Sequence, residues 1–281
     1  MEKMHKTIKN IVNMKRKEKI TVLTGYDSTM ATLCEEVDVI LVGDSAGMVM
    51  LGYENTSSVT MDDMIRFTTA VKNARKNSLI VSDLPINSYQ NEKDAVTNSL
   101  KLIEAGADAV KLEGGREVGK IIKSITESKI PVMGHLGLLP QTAEKYTVQG
   151  KTKKDAIKLI EDAKIITESG VFSIVLEMVS SQVAKLITEK ISVPTIGIGS
   201  GKDCDGQVLV IHDMFVCLVK IFLVLREEVP LSCCCRALRH CRVQRYQHLQ
   251  HALSVVFTKV QLTCIFKPFV PLLVPQNSNT D

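Results

Sequence analysis

The 281-residue chain has no tryptophan, only 4% aromatic residues, and eight cysteines of which six fall at or after Cys217. The first 216 residues therefore hold just Cys34 and Cys204. That scarcity excludes a disulfide framework there and fits a reducing compartment. Charge of one sign is missing too. A net charge of +4, with no Lys/Arg block interleaved with aromatics, leaves no electrostatic footprint for nucleic acid. The basic stretch 15–19 reads as a solvated helix end. The opening residues contain no apolar core of seven or more, so no secretory leader is expected, and Glu2 and Glu18 argue against a transit peptide. Residues 208–225 come nearest to a membrane span. They contain His212, Asp213 and Lys220, and central charges cost about 2.5–3.5 kcal/mol each. The expectation is a cytoplasmic protein with no membrane or nucleic-acid partner.

A further absence divides the chain. All sixteen glycines lie at or before Gly206. Up to residue 216 there are 23 Lys and 4 Arg, and after it 3 Lys and 5 Arg. The triplet Cys233, Cys234 and Cys235 follows with no helical or strand period, and no second Cys-x-x-Cys pair completes a zinc site. Residues 1–215 are expected to form one catalytic domain without its last helices. Residues 216–281 read as a poorly ordered tail produced by a frameshift or fusion, the alternative being an authentic but loosely packed extension.

What is present is a repeated grammar. Val39 to Val42 is an apolar run suited to a strand buried on both faces, and it breaks at Gly43 to present Asp44 and Ser45. Apolar runs then end in turn at Asp83, Glu113, His135 and Glu177. Strands expected at 20–24, 39–42, 79–81, 109–112, 131–134, 172–176, 195–198 and 208–211 alternate with helices, the first of these expected over 28–37. Residues 4, 8, 11 and 12 have helical spacing, so an N-terminal helix is expected to plug the bottom. Eight alternations predict a (β/α)₈ TIM barrel with an atypical C-terminal tail. The runner-up is a six-stranded doubly wound sheet, which lacks the early glycine fingerprint.

Asp44, Asp83 and Glu113 leave three consecutive strands, so in a barrel they meet at one mouth. Three adjacent carboxylates repel unless a cation sits between them, and oxygen ligands select a hard ion such as Mg²⁺. The alternative is that each caps the following helix. Lys111, two residues before Glu113, shares its inward face and meets either a bound anion or enolate, or Glu113 itself. His135, flanked by Gly134 and Gly137, reads as a donor to a substrate carbonyl or as a satisfied core histidine. Glu177, expected across the barrel from the metal cluster, has apolar neighbours Val175, Leu176 and Met178, a setting that suits a general base. A metal facing a base suggests proton abstraction beside a polarised carbonyl. The glycines from Gly197 to Gly201 form either a phosphate cradle or a tight turn.

Taken together, Leu41-Val-Gly-Asp-Ser45, Ser82-Asp-Leu-Pro85, Val110-Lys-Leu-Glu-Gly-Gly115, Gly134-His-Leu-Gly137 with Pro140 and Gln141, Val148-Gln-Gly150, Val175-Leu-Glu177, Ile196-Gly-Ile-Gly199, and Asp205-Gly-Gln207 with His212 and Asp213 closely resemble ketopantoate hydroxymethyltransferases. The likeness covers residues 4–215. It implies a barrel of the phosphoenolpyruvate/pyruvate superfamily type, a high-order, decamer-like homo-oligomer, Mg²⁺, and 5,10-methylenetetrahydrofolate as one-carbon donor to 3-methyl-2-oxobutanoate. By motif, it implies Asp44, Asp83 and Glu113 as metal positions. Asp44, Ser45, Asp83 and Lys111 would hold the 2-oxo acid, Glu177 would accept the proton, and His135 would contact the substrate region. Residues 140–146 are shorter than the family's loop and lack its paired glycines, which leaves folate access open. The competing functions are a related 2-oxo acid lyase or mutase, and an inactive product of a disrupted gene.

Overall fold

The computed structural model describes residues 5–214. The expected contact of residue 4, the domain boundary at 215, the missing terminal helices and the divergent tail lie outside the described residues.

Eight parallel strands close into a barrel in sequence order. They are β1 (Ile20–Thr24), β2 (Val39–Val42), β3 (Leu79–Asp83), β4 (Ala109–Glu113), β5 (Val132–Gly137), β6 (Ser173–Glu177), β7 (Thr195–Ile198) and β8 (Gly206–Leu209). β1 pairs with both β2 and β8, so the seam is shut and the doubly wound alternative is excluded. The helices are α1 (Ile8–Asn13), α2 (Ser28–Leu33), α3 (Ala46–Val49), α4 (Met61–Ala74), α5 (Glu92–Glu104), α6 (Gly119–Glu127), α7 (Lys153–Glu168) and α8 (Ser181–Lys190). Local chemistry fixes their ends. Thr60 and Asp63 form a reciprocal capping box at the start of α4. Gly106 and Gly170, with φ of +112° and +101°, turn the chain out of α5 and α7.

Alternation along the strands splits the apolar residues into two cores. Val22, Val39, Leu41, Leu79, Val81, Ala109, Met133, Val175, Ile196 and Val208 fill the barrel interior. Their neighbours Leu23, Ile40, Val42, Ile80, Val110, Leu112, Val132, Ile174 and Leu176 face outward and pack under the helices. Ile11 of α1 is fully buried against the inner cluster, with Ile8 and Val12 beside it, so α1 closes the bottom.

Four sequence expectations shift. Strands β3, β4 and β5 run further than their apolar runs, through Asp83, Glu113 and Gly137. Backbone pairing does not stop where side chains turn polar, and the registers Asp83↔Lys111 and Glu113↔His135 continue the ladder. The second shift is at the barrel seam, where β8 lies at Gly206–Leu209 rather than 208–211. Gly206 passes so close to β1 that a Cβ would stand 2.5 Å from the Ile20 carbonyl oxygen. Ile211 has already left the strand, its N–H donating to Thr24 Oγ1 at 3.0 Å. Third, the stretch 15–19 is exposed only at residues 16–18 and is not a wholly solvated helix end. Lys15 Nζ lies 2.8 Å from buried Asp205 Oδ2, and Lys19 Nζ donates to the carbonyls of Lys202 and Cys204. Asp205 also accepts from Thr195 N–H, tying the floor to β7 and β8. Finally, α2 stops at Leu33 instead of running to 37, because the chain must turn at Cys34 to bring Asp38 against Thr21.

Candidate active site

Five candidate side chains sit two residues beyond an interior one: Asp83 after Val81, Lys111 after Ala109, Glu113 after Lys111, His135 after Met133, Glu177 after Val175. Parity therefore points all five into the C-terminal mouth of the barrel, where such folds keep their chemistry. Asp44 and Ser45 join them from the turn after β2.

The side chains form two linked groups. Asp83 lies beside Lys111 in the β3–β4 register, and its Oδ1 is 2.7 Å from Lys111 Nζ. Its other oxygen accepts from the Asp44 backbone N–H at 3.2 Å. In the second group, Glu113 Oε1 is 3.3 Å from His135 Nδ1, and His135 Nε2 is 3.4 Å from Glu177 Oε2. Neither imidazole nitrogen has hydrogen-bond geometry in this arrangement, so the contacts are ionic rather than well-formed hydrogen bonds. Two readings change as a result. Lys111 makes its ion pair with Asp83 and not with Glu113, because strand register sets them side by side. Glu177 does not stand isolated across the barrel from Glu113, since His135 spans the two.

Burial sets the electrostatics. It pushes the Asp44 carboxyl up to about 7, with the neighbouring Asp83 charge adding to the effect. Burial also raises Asp83, although Lys111 pulls the other way. For Lys111, burial alone would lower the pKa, but Asp83, Glu113 and Asp44 together raise it. The pair is thus unequal: the lysine gains from its surroundings while the carboxylate stays penalised. Glu113 is held below the usual carboxylate range by His135 and Lys111 despite its burial. His135 shows the same contest, in which the Glu113 charge outweighs desolvation and raises it to about 9.

Asp44, Asp83, Glu113 and Glu177 face one lysine and one histidine; Lys111 pairs with Asp83 and His135 is shared by Glu113 and Glu177, which leaves the mouth short of positive charge, above all at Asp44. A hard divalent cation fits that deficit and that all-oxygen donor set. Among the described residues no three His, Cys, Asp or Glu side chains close on one point as a finished metal cage. Mg²⁺ does not require one, because it is held by one or two carboxylates plus water and substrate oxygens.

Three residues here carry no role in the sequence reading. Gln141, in the loop after β5, donates from its backbone N–H to Glu113 Oε2 at 3.1 Å and from Nε2 to Asp44 Oδ2 at 2.8 Å. Tyr89 donates its hydroxyl to Gln141 Oε1. Tyr26, fully buried beyond β1, has its hydroxyl 2.8 Å from Ser45 Oγ, and burial pushes the phenol up to about 12. The sequence signal for Gln141 is its place beside Pro140 in a family motif, whereas neither tyrosine carries any signal.

The exit of β6 is clamped. Met178 holds a left-handed φ of 51°, costly for a side-chain-bearing residue. The Glu177 carbonyl accepts from Leu138 N–H, while Met178 donates to Ile198 O and accepts from Gln149 N–H. Ser200 adds a bond to Leu176 O and receives Val179 N–H. The glycine-rich turn from Gly197 to Gly201 thus braces the strand carrying Glu177, and its serine is used internally.

A closed parallel barrel with ionisable side chains gathered at its C-terminal strand ends defines a (β/α)₈ enzyme. Solved structures share the fold at low identity. Phosphonopyruvate hydrolase, in complex with oxalate and Mg²⁺, matches with a TM-score of 0.60 and 12% identity, over 90% of this chain and 99% of that one. A Burkholderia cenocepacia protein described as a putative phosphonomutase matches with a TM-score of 0.60 and 10% identity, over 77% and 96%. Sequence relatives are far nearer. The 3-methyl-2-oxobutanoate hydroxymethyltransferase of Nitrosopumilus maritimus is 61% identical over 218 residues, covering 75% of this chain and 78% of the relative. That of Clostridium botulinum is 55% identical over 219 residues, covering 75% and 80%. The model of the ketopantoate hydroxymethyltransferase family matches residues 5–223. The chain belongs to the ketopantoate hydroxymethyltransferase family.

Proposed function

We propose that the chain transfers a hydroxymethyl group from 5,10-methylenetetrahydrofolate to 3-methyl-2-oxobutanoate, giving 2-dehydropantoate (ketopantoate) at the entry to pantothenate biosynthesis. The observation that carries this reading is the pair of charge groups at one mouth: Asp44, Asp83 and Lys111 on one side, and Glu113, His135 and Glu177 on the other.

Asp44, Asp83 and Glu113 are the residues that would hold Mg²⁺. Both oxygens of Asp83 and both of Glu113 already have protein partners, so Asp44 would contribute most directly. When bound, the ion would polarise the carbonyl of the 2-oxo acid and acidify its C3 hydrogen. Ser45, held by Tyr26, and Asp44 orient the substrate beside Lys111. Glu177, whose side chain is 16% exposed, faces the open mouth and accepts the C3 proton. His135 keeps that carboxylate aimed, and the Lys111 ammonium faces the oxygen on which negative charge develops. Both C–N bonds of the folate methylene carbon break, with water supplying that carbon's oxygen and the two protons that leave on tetrahydrofolate. The C3–H bond breaks to Glu177, a C–C bond forms from C3 to the same carbon, and the Glu177 proton passes to the new hydroxyl oxygen.

The two buried free thiols, Cys34 and Cys204, support a reducing, cytoplasmic setting. Among the described residues no helix is long and apolar enough to cross a membrane. A homo-oligomer is part of the same proposal, and sedimentation of the full chain tests it. The activity is tested by C3 hydrogen–deuterium exchange of the 2-oxo acid without folate, followed by NMR. The parent should exchange and Glu177→Gln should not. Exchange that survives Glu177→Gln but not Asp83→Asn would reverse the assignment of base and metal ligand.

A further inference from the structure

Gln141 occupies a place that none of the roles above accounts for. It belongs to the loop between β5 and α7, yet it touches the turn after β2, the β3–α5 connection and the end of β4. The residue is buried, with a relative exposure of 5%. Nε2 donates to Asp44 Oδ2 at 2.8 Å and to the Leu84 carbonyl at 3.0 Å, while Oε1 accepts from the Tyr89 hydroxyl. These partners fix the amide orientation. Turned over, the carbonyl oxygen would face a carboxylate and a carbonyl, and the Tyr89 hydroxyl would face an NH₂. The backbone N–H of the same residue donates to Glu113 Oε2 at 3.1 Å. One residue thus grips two carboxylates that strand register alone does not bring together.

The need for such a grip follows from charge. Asp44 stands in a turn, not in a strand, next to Asp83 and within the field of Glu113. Repulsion among them favours Asp44 swinging away toward solvent unless a donor holds it in place. Lys111 Nζ is committed to Asp83, and His135 lies between Glu113 and Glu177, so neither cation is placed on Asp44. A neutral donor does so without cancelling the charge that a cation or substrate would use.

We propose that Gln141 is a positioning residue: through its side-chain amide and backbone N–H it presets Asp44 and Glu113 for the metal and the 2-oxo acid, with Tyr89 locking the amide. The inference deepens the proposed function and rests on that reading for its catalytic consequence, though not for its structural one. Gln141 touches no reacting atom itself. The Leu138 to Gly150 loop is thereby coupled to the metal-facing carboxylates, so a change in loop position is felt first at Asp44.

The test uses the full chain, two single variants and the double variant. Gln141→Met keeps length and packing but removes the side-chain amide, and Tyr89→Phe removes only the lock. Mg²⁺ titration by calorimetry, C3 exchange, and a crystal structure of each variant are the readouts, with urea unfolding as a check on folding. Gln141→Met is expected to weaken Mg²⁺ binding by about 10–100-fold. It should lower kcat for exchange more than it raises KM for the 2-oxo acid, and show the Asp44 side chain displaced. Tyr89→Phe is expected to give a smaller loss of the same kind, about two- to tenfold, that is not additive with Gln141→Met. A Gln141→Met structure in which the Asp44 carboxylate keeps its present place overturns the proposal, as does additivity of the two variants. Because the position of Asp44 is read directly, that outcome holds whether or not the parent exchanges C3 hydrogen. Absence of exchange in the parent would sink only the proposed function.

Discussion

Lys111→Met removes the Lys111 ammonium from the mouth while keeping most of the side chain's volume. In the parent, Nζ lies 2.7 Å from Asp83 Oδ1, with the two side chains 5% and 4% exposed. Breaking a buried pair from one side costs about 3–5 kcal/mol, because the partner is left charged and unsolvated. There is also a ceiling on that cost, since Asp83 can escape it by taking up a proton. For a carboxyl with an ordinary value near 3.9, protonation at pH 7 costs about 4 kcal/mol, at roughly 1.4 kcal/mol per pH unit. At pH 5 the same escape costs only about 1.5 kcal/mol. The variant should therefore be less stable than the parent by about 3–4 kcal/mol at pH 7, and by no more than about 1.5 kcal/mol at pH 5.

The sign follows from proton binding. The Asp83 pKa is already raised above its unfolded value, and losing Lys111 raises it further. Between the two values the native state holds a proton that the unfolded chain has released, so stability falls as pH rises through that window. The contribution of Lys111 in the parent adds no slope there. Its folded pKa is raised, so its stabilisation is fully present at any pH below the ordinary lysine value near 10.4. Urea unfolding of parent and variant at both pH values, followed by circular dichroism, measures the difference. A deficit under about 1 kcal/mol at pH 7, or one that is the same at pH 5, would refute the reasoning.

Gly137→Ala tests the frame around Glu177. With φ at +101° and a Cβ placed 2.2 Å from the Glu177 carbonyl oxygen, the alanine forces the β6 exit to move, and C3 exchange should fall by about 100-fold or more. Exchange within about threefold of the parent would show that Glu177 tolerates displacement. Among the carboxylates, Asp44→Asn should weaken Mg²⁺ binding more than Asp83→Asn or Glu113→Gln does, because both oxygens of Asp83 and of Glu113 already have protein partners. Calorimetric titration ranks them, and a larger loss for Glu113→Gln would make that residue the principal ligand. Burial pushes the Cys34 thiol up to about 12 and the Cys204 thiol up to about 11, so both stay protonated at pH 8 and enclosed. Peptide mapping after iodoacetamide treatment should find them unlabelled until the chain is unfolded in urea, and labelling of either in the native protein contradicts the packing around it.

The barrel is legible because buried parallel strands write themselves as short apolar runs, and because two-residue parity is unforgiving. Once Ala109 is inside, Lys111 and Glu113 are inside, and once Val175 is inside, Glu177 is. That arithmetic, with sequence order, is enough to bring Asp83, Lys111, Glu113, His135 and Glu177 to one end. It does not give strand ends. The runs stop at Val81, Leu112 and Gly134, yet the ladders continue through Asp83, Glu113 and Gly137. Hydrophobicity reports where side chains are apolar, and pairing depends on the backbone. Lys15 and Lys19 look solvated for a related reason. Lys15 finds Asp205 far along the chain, and no local pattern records a partner supplied by the closing of a barrel.

Pair choice within the mouth is the harder question, and register answers it. From sequence, Lys111 and Glu113 share a face, and an ion pair between them is the natural guess. Two residues along a strand, however, their side chains are separated by the rise of the strand, whereas Asp83 lies directly alongside Lys111 in the neighbouring one. The same geometry sets His135 level with Glu113 and leaves it within reach of Glu177. Gln141 escapes both rules, since a loop residue has neither parity nor register. Its contacts are set by where the chain must travel between Gly137 and α7, which depends on loop length and on the Leu138 N–H bond to the Glu177 carbonyl. The strands decide which charges meet, but the placing of Asp44 is left to a loop. A change in the length of the 138–150 segment therefore acts on the chemistry through Asp44 before it acts on the fold.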